Sequence, residues 1–499
     1  MTNNILKYVF IAFAAISLYA CYPDVKAPAG SKGSIINVST YVAIGNSITS
    51  GYADGALYYN GQLVSYPNLI AQQLKSIGGG GFKQPLMPQN SVGVGSSGNA
   101  RLVLSVVNGS LSPVPAAAVG DTAQFRNNVY ASQGPFNNMG VPGAKAITVV
   151  FPGYGNPANG AGNFNPFFTR MASNPATASM LGDAVAQKAT FFSLFIGNND
   201  VLAYALAGGA SDSITSTASF NASIDAIVGA MIASGAKQGV VANIPDIASL
   251  PFFTTIPYNP LTATAIGKGD SSAGKTNIQA LNTNLYGPLV QVLTAFGQGS
   301  RISLLSPTSG NPLLIKDTTL TNLSAQITAA LTPALGAATA VVFGQIYGQA
   351  RQATAADYVL LTTQSAIGST VAGIPAGINI NGISYPLDNR YILTRTEAAA
   401  IQAARTAFNS KLQSVANTNG LAFVDVAAFM QTASQGIVYN GVSISTVFVS
   451  GGAFSLDGIH LTPRGNALLA NEFLKAINAK YQSSIPLVDA TNYGGVQFP

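Results

Sequence analysis

Four apolar positions in a row, Tyr41-Val42-Ala43-Ile44, give way to the polar turn Gly45-Asn46-Ser47. The same change of character recurs where Phe191 to Ile196 meets Gly197-Asn198-Asn199-Asp200, where Gly239 to Ala242 enters Asn243-Ile244-Pro245-Asp246, and at Leu421 to Val426. Near-continuous apolar runs of this length belong to parallel strands covered on both faces. Between them the periodicity is helical. Phe220, Ile224, Ile227, Val228, Met231 and Ile232 line one stripe that Gly235 can stop. Thr394 and Glu397 form a capping box ahead of Ile401, Ala404, Phe408 and Leu412, in a helix running to Gly420. Thr462 and Pro463 prime a last helix through Leu468, Leu469 and Phe473. Strands alternating with helices predict an α/β fold with a parallel central sheet, and they put the polar turns at the carboxyl ends of strands, where such sheets bind ligands.

Two regions break the rhythm. Residues 55–135 are rich in Gly, Asn and Pro, and residues 250–390 mix Ala/Thr-rich helical stretches with Gly-rich loops. Both are expected to be insertions on one domain spanning 41–499, with a separate small domain inside 250–390 as the alternative. No internal repeat is evident.

The N-terminus adds an address. Lys7 is the sole basic residue of the first twenty, an apolar run follows from Tyr8 to Leu18, and Leu18-Tyr19-Ala20 precedes Cys21. This pattern predicts an export signal over 1–20, too short to span a bilayer comfortably. Cys21, the only cysteine, stands where a lipoprotein signal puts its lipid-accepting thiol. The expected product is exported and held by lipid at a membrane of the cell envelope, the outer membrane or cell surface, with residues 21–40 as a tether. One cysteine leaves no internal disulfide and no zinc-thiolate site. Of the 499 residues, 48% are hydrophobic and 8% charged, and the net +6 comes from 23 basic against 17 acidic side chains spread thinly. With no dense Lys/Arg run, nucleic acid is not an expected partner.

The chain has 1 histidine, His460, in Leu456-Asp457-Gly458-Ile459-His460. A carboxylate three residues away can hold an imidazole in one tautomer and stabilise its cation, as nucleophilic catalysis by serine requires. Ser47 is the candidate nucleophile, because a strand-to-helix turn projects its hydroxyl at the sheet edge. Asn199 offers a side-chain amide at a second strand end. Gly143, in Asn138-Met139-Gly140-Val141-Pro142-Gly143-Ala144, can bring an unobstructed N–H to an anion. Asp200 reads as a cap for the next helix.

In this order the four segments resemble the SGNH, or GDSL, hydrolase family, with Ser47, Gly143, Asn199 and His460 matching the residues that name it. The resemblance extends from Gly45 through Tyr66-Pro67, from Asn243 to Phe253, and from Phe408-Asn409 through Gly451 to the C-terminus, as in a subgroup of bacterial lipoproteins. It implies a flavodoxin-like three-layer α/β sandwich and a serine esterase without cofactor or metal. Ser47 would be the nucleophile, His460 the base and Asp457 the acid, with the oxyanion held by the Ser47 and Gly143 N–H groups and the Asn199 side chain. The expected substrate is an ester, of a lipid or of an acylated carbohydrate. Asn46 stands where the family usually has Asp, and Leu461 where proline is common.

Two other functions compete. Gly269-Asp270-Ser271-Ser272-Ala273-Gly274-Lys275-Thr276 matches the phosphate-cradling pattern of nucleotide-binding proteins. Thr262 to Ile266 is a poor strand to precede it, so the segment is expected to be a flexible Gly/Ser loop before a helix from Ile278, with no nucleotide partner. The inserted regions carry many of the 20 Tyr and 24 Phe. They would suit a catalytically silent lipoprotein that grips glycans or lipids.

Overall fold

The computed structural model describes Gly30, residues 36–107 and residues 109–499. The signal segment 1–20 and Cys21 lie outside the described residues. The body begins earlier than expected of a 21–40 tether. Ile36 and Val38 are buried in the main core, and the Asn37 N–H donates to the Gln238 side chain at 2.8 Å.

Five strands form one wholly parallel sheet: β1 (Tyr41–Gly45), β2 (Asn138–Gly140), β3 (Phe191–Phe195), β4 (Gln238–Ala242) and β5 (Ala422–Val424). Every residue of β1 and β3 is buried, which requires cover on both faces. The lateral order is 2-1-3-4-5. Gly45 at the end of β1 pairs with Gly140 on one side and Phe195 on the other. The chain therefore leaves β1 in one direction, to β2, and returns across it to β3. A crevice opens at the carboxyl ends of the strands where the direction reverses.

Five helices pack about the sheet, α1 (Ser47–Ser50), α2 (Tyr66–Leu74), α3 (Thr217–Ala233), α5 (Arg395–Thr418) and α6 (Pro463–Tyr481), while α4 (Ser271–Leu281) lies in the inserted region 250–390. Helices α2 and α6 pack together, with Tyr66 against Phe473 and both near Phe195. Helices α3 and α5 form another pair, where Phe220 stacks on Phe408 at 4.0 Å. The predicted caps are made: Thr394 and Glu397 exchange hydrogen bonds at the start of α5, and the Thr462 hydroxyl accepts from the Gly465 N–H at 3.0 Å.

Three expectations change. The apolar run Leu421–Val426 is strand only from Ala422 to Val424; the Asp425 carboxylate accepts the Ala428 N–H, so Val426 opens a helix instead. Within the irregular region 55–135, α2 belongs to the helical layer on the sheet, and an antiparallel hairpin, Leu102–Val107 with Ser110–Pro115, lies beyond it. The phosphate-loop pattern is not a loop. Asp270 caps α4 by accepting from Ser272 and Ala273, so Gly274 and Lys275 are interior helical residues, and the preceding segment is the short helix Ala263–Ile266. The reason is tertiary: a Cβ on Gly274 would lie 1.7 Å from the Ala263 carbonyl oxygen, so the two helices cross at a point where only glycine fits.

Apolar burial is divided. The sheet and its helices hold one core, and residues between Leu261 and Ile392 hold a second. At the join, buried Arg351 donates to Asp317 at 2.7 Å and to Asp357 at 2.6 Å. Asp357 also accepts the Arg395 N–H at 2.8 Å, fixing the second core to the first turn of α5.

Candidate active site

The nucleophile turn is sterically enforced. At Gly45 a Cβ would lie 2.0 Å from Thr49 Oγ1, so α1 can fold back onto the end of β1 only because position 45 has no side chain. Asn46 Oδ1 accepts the Ile48 N–H at 3.1 Å and caps α1, a task an aspartate would perform with the same geometry. Its Nδ2 is buried without a partner. Ser47 is thereby presented at the first position of the helix, where its own N–H has no helical acceptor.

Ser47 Oγ lies 2.8 Å from His460 Nε2, and His460 Nδ1 lies 2.8 Å from Asp457 Oδ2. A carboxylate can only accept, so Nδ1 carries the proton and Nε2 is left with a lone pair facing the Ser47 hydroxyl. Asp457 Oδ1 further accepts the backbone N–H groups of Ile459 and His460 at 2.9 and 2.8 Å and the Ser455 hydroxyl at 3.1 Å. Burial pushes the Asp457 carboxyl up, but its electrostatic interaction with the His460 ring and these hydrogen bonds outweigh it and hold it well below the ordinary carboxylate range. The carboxylate stays ionised beside the imidazole. The Tyr52 ring lies 4.8 Å from the His460 ring, and burial and the Asp457 charge push its hydroxyl up to about 12. Tyr52 stays neutral and walls the imidazole.

The other two predicted residues come from the neighbouring strand ends. Gly143 follows β2 with φ +81°, a conformation that favours glycine. No acceptor among the described residues takes its N–H. Its turn is clasped by three side chains. Asn165 Nδ2 donates to the Pro142 carbonyl at 2.8 Å, Asn199 Nδ2 donates to the Ala144 carbonyl at 3.0 Å, and Asp200 accepts the Ala146 N–H at 2.9 Å. Asn199 uses one of its two amide protons in that bond. Asp200 lies in the first turn of the helix Asn199–Leu206 and braces the Gly143 turn rather than capping its own helix, whose cap position is Asn198.

Several contributors were not singled out from the sequence. The Gly55 N–H donates to Asp457 Oδ2 at 2.8 Å, Asp54 Oδ1 accepts the Leu456 N–H at 3.0 Å, and the Asp54 N–H donates to Ser455 Oγ at 3.0 Å. These contacts hold the Asp457–His460 loop from the other end of the chain. From the inserted region, the Phe252 N–H donates to the Gly458 carbonyl at 3.0 Å.

Near the carboxyl ends of β1, β3 and β4 is an apolar cavity of about 40 Å³. It is lined by Ile48, Asn198 and Ile459, sequence neighbours of Ser47, Asn199 and His460, and by Leu202, Ile244 and Met430; Ser47, Gly143, Asn199 and His460 themselves are not part of its wall. Asn198 Oδ1 is buried there without a partner.

No protein-family model matches this chain, and no curated protein matches it. Among the described residues no group of three or more His, Cys, Asp or Glu side chains is placed to hold a metal ion, and no helix is long and apolar enough to cross a membrane.

Proposed function

We propose that this chain is a serine ester hydrolase of the SGNH type, anchored to a membrane through lipid on Cys21 after export. The observation that carries the proposal is the continuous hydrogen-bonded line from Ser47 Oγ through His460 to Asp457, with both bonds at 2.8 Å. The strand order 2-1-3-4-5 supports the flavodoxin-like form of the fold, and the line stands at its switch point.

In the proposed reaction His460 Nε2 takes the Ser47 proton as Oγ attacks the ester carbonyl. The Ser47 and Gly143 N–H groups and the second proton of Asn199 Nδ2 receive the oxyanion. Collapse transfers the proton from His460 to the departing alcohol and leaves an acyl-serine. Water, deprotonated by the same imidazole, then releases the acid and restores Ser47. Asp457 keeps the proton on Nδ1 and stabilises the imidazolium formed in each half-reaction.

The test is labelling by a fluorophosphonate together with hydrolysis of a chromogenic acetyl ester. Both are expected in the parent chain and absent in Ser47→Ala. Asp457→Asn is expected to fold and lose about 10⁴-fold in turnover. A folded parent chain that neither labels nor hydrolyses the ester overturns the proposal. For the anchor, metabolic incorporation of palmitate is expected to disappear in Cys21→Ser.

A further inference from the structure

The second core leaves a groove of about 1080 Å³ open at the surface. One wall is α4 with the π-helical turn Asn282–Tyr286 that continues it; a second is the helix Ala337–Tyr347; the third is the loop 367–384. Its floor is apolar: Ile266, Leu285, Phe343 and Ile378 are buried members of the second core that also line the groove. Concave sites of roughly 300–1,000 Å³ with apolar walls and a few polar groups are the common form of small-molecule pockets. A π turn in a helix is itself a feature that concentrates at functional positions.

The charge in the groove is one-sided. Lys268 is the only charged side chain in its lining, and no carboxylate faces it. The nearest acid in sequence, Asp270, is committed to the Ser272 and Ala273 N–H groups at the start of α4. Among the described residues Lys268 enters no ion pair. An apolar trough with one unpaired cation at its rim complements a molecule with a long hydrocarbon body and one negative head.

We infer that this groove binds a long-chain fatty acid, its tail along the floor of the second core and its carboxylate at Lys268. The site is separate from Ser47, and its binding does not depend on the chemistry there. Each buried methylene strengthens such binding roughly fourfold, so affinity should climb steeply with chain length until the groove is filled.

The experiment is titration calorimetry on the full chain with palmitate, decanoate and hexadecanol, each below its micellar concentration. One palmitate per chain is expected, with decanoate more than a hundredfold weaker. Lys268→Glu is expected to weaken palmitate about tenfold and leave hexadecanol unchanged. Ala280→Trp, an exposed position on the groove wall, should abolish binding of both in a chain that still melts cooperatively. Ser47→Ala should bind palmitate as the parent does, so loss of esterase activity and loss of the groove site are read separately. Absence of saturable palmitate binding to the folded parent, or binding that survives Ala280→Trp, overturns the inference. Equal palmitate affinity in Lys268→Glu overturns the assignment of the head group.

Discussion

Gly55 donates its backbone N–H to Asp457 Oδ2 at 2.8 Å across a separation of 402 positions. That bond shares the carboxylate oxygen with His460 Nδ1, so the segment after α1 sets where the acid of the site can sit. Asp54 completes the grip: its two oxygens accept the Leu456 N–H and the Tyr58 hydroxyl, at 3.0 and 2.8 Å. Asp54 also adopts φ +53°, a conformation that Asp and Asn tolerate and that costs most other residues roughly 1–2 kcal/mol. As a positioning residue it should act on kcat. Asp54→Ala is expected to lower kcat about 10²-fold with little change in KM, whereas Asp54→Asn, which keeps the Leu456 acceptor, should lose far less. Steady-state kinetics with a chromogenic acetyl ester decide the matter; equal losses in the two variants would show that the Leu456 bond is not what matters.

The contrast between Ser47 and Asp54 explains what could be read in advance. Ser47 announces itself locally, since an apolar strand ending in Gly-Asn-Ser makes a nucleophile turn plausible, and a solitary imidazole three residues from Asp457 leaves few other partners. Asp54 and Gly55 carry no such mark: they lie in a Gly/Asn-rich stretch, and their meaning comes only from a contact four hundred residues away. Asp200 was legible as a helix-start residue but not as the brace of the Gly143 turn, because the acceptor faces a different strand end. The helix α4 was hidden for the opposite reason. Its Gly/Ser composition resembles a loop, and the Ala263 contact that makes Gly274 suitable is tertiary.

Asp200 supplies a pH dependence with a definite sign. Burial, ahead of the opposing hydrogen bonds and the Lys145 charge, pushes its carboxyl up to about 6. An unfolded aspartate titrates near about 3.9, so between these values the folded chain binds the proton more tightly. The Asp200 contribution to stability is therefore fully present below that lower value and is lost as pH rises through about 6. Asp200→Asn can still accept the Ala146 N–H while never carrying charge. Its melting temperature should match the parent near pH 4 and exceed it at pH 8, by a gain of at most roughly 3 kcal/mol. A variant less stable than the parent at pH 8 would show that the ionised carboxylate is needed where it stands.

Gly274 and Lys275 let one measurement separate a helix crossing from a phosphate cradle. If the segment were a nucleotide loop, Lys275 would carry its function, and Lys275→Ala would be the damaging change. In the fold it adopts, Lys275 is exposed on α4 while Gly274 meets the Ala263 backbone, where an added Cβ would stand 1.7 Å from a carbonyl oxygen. Surface changes of the Lys275→Ala kind fall within about 0.5 kcal/mol of neutral. Gly274→Ala must instead push two helices apart in a packed core, and overpacking of this kind costs about 1–3 kcal/mol, more where backbone cannot move. Thermal melts should therefore show Gly274→Ala clearly destabilised and Lys275→Ala unchanged, with hydrogen exchange in the mutant accelerated first across residues 261–295. The reverse ranking, with ATP raising the melting temperature of the parent and not of Lys275→Ala, would restore the nucleotide reading.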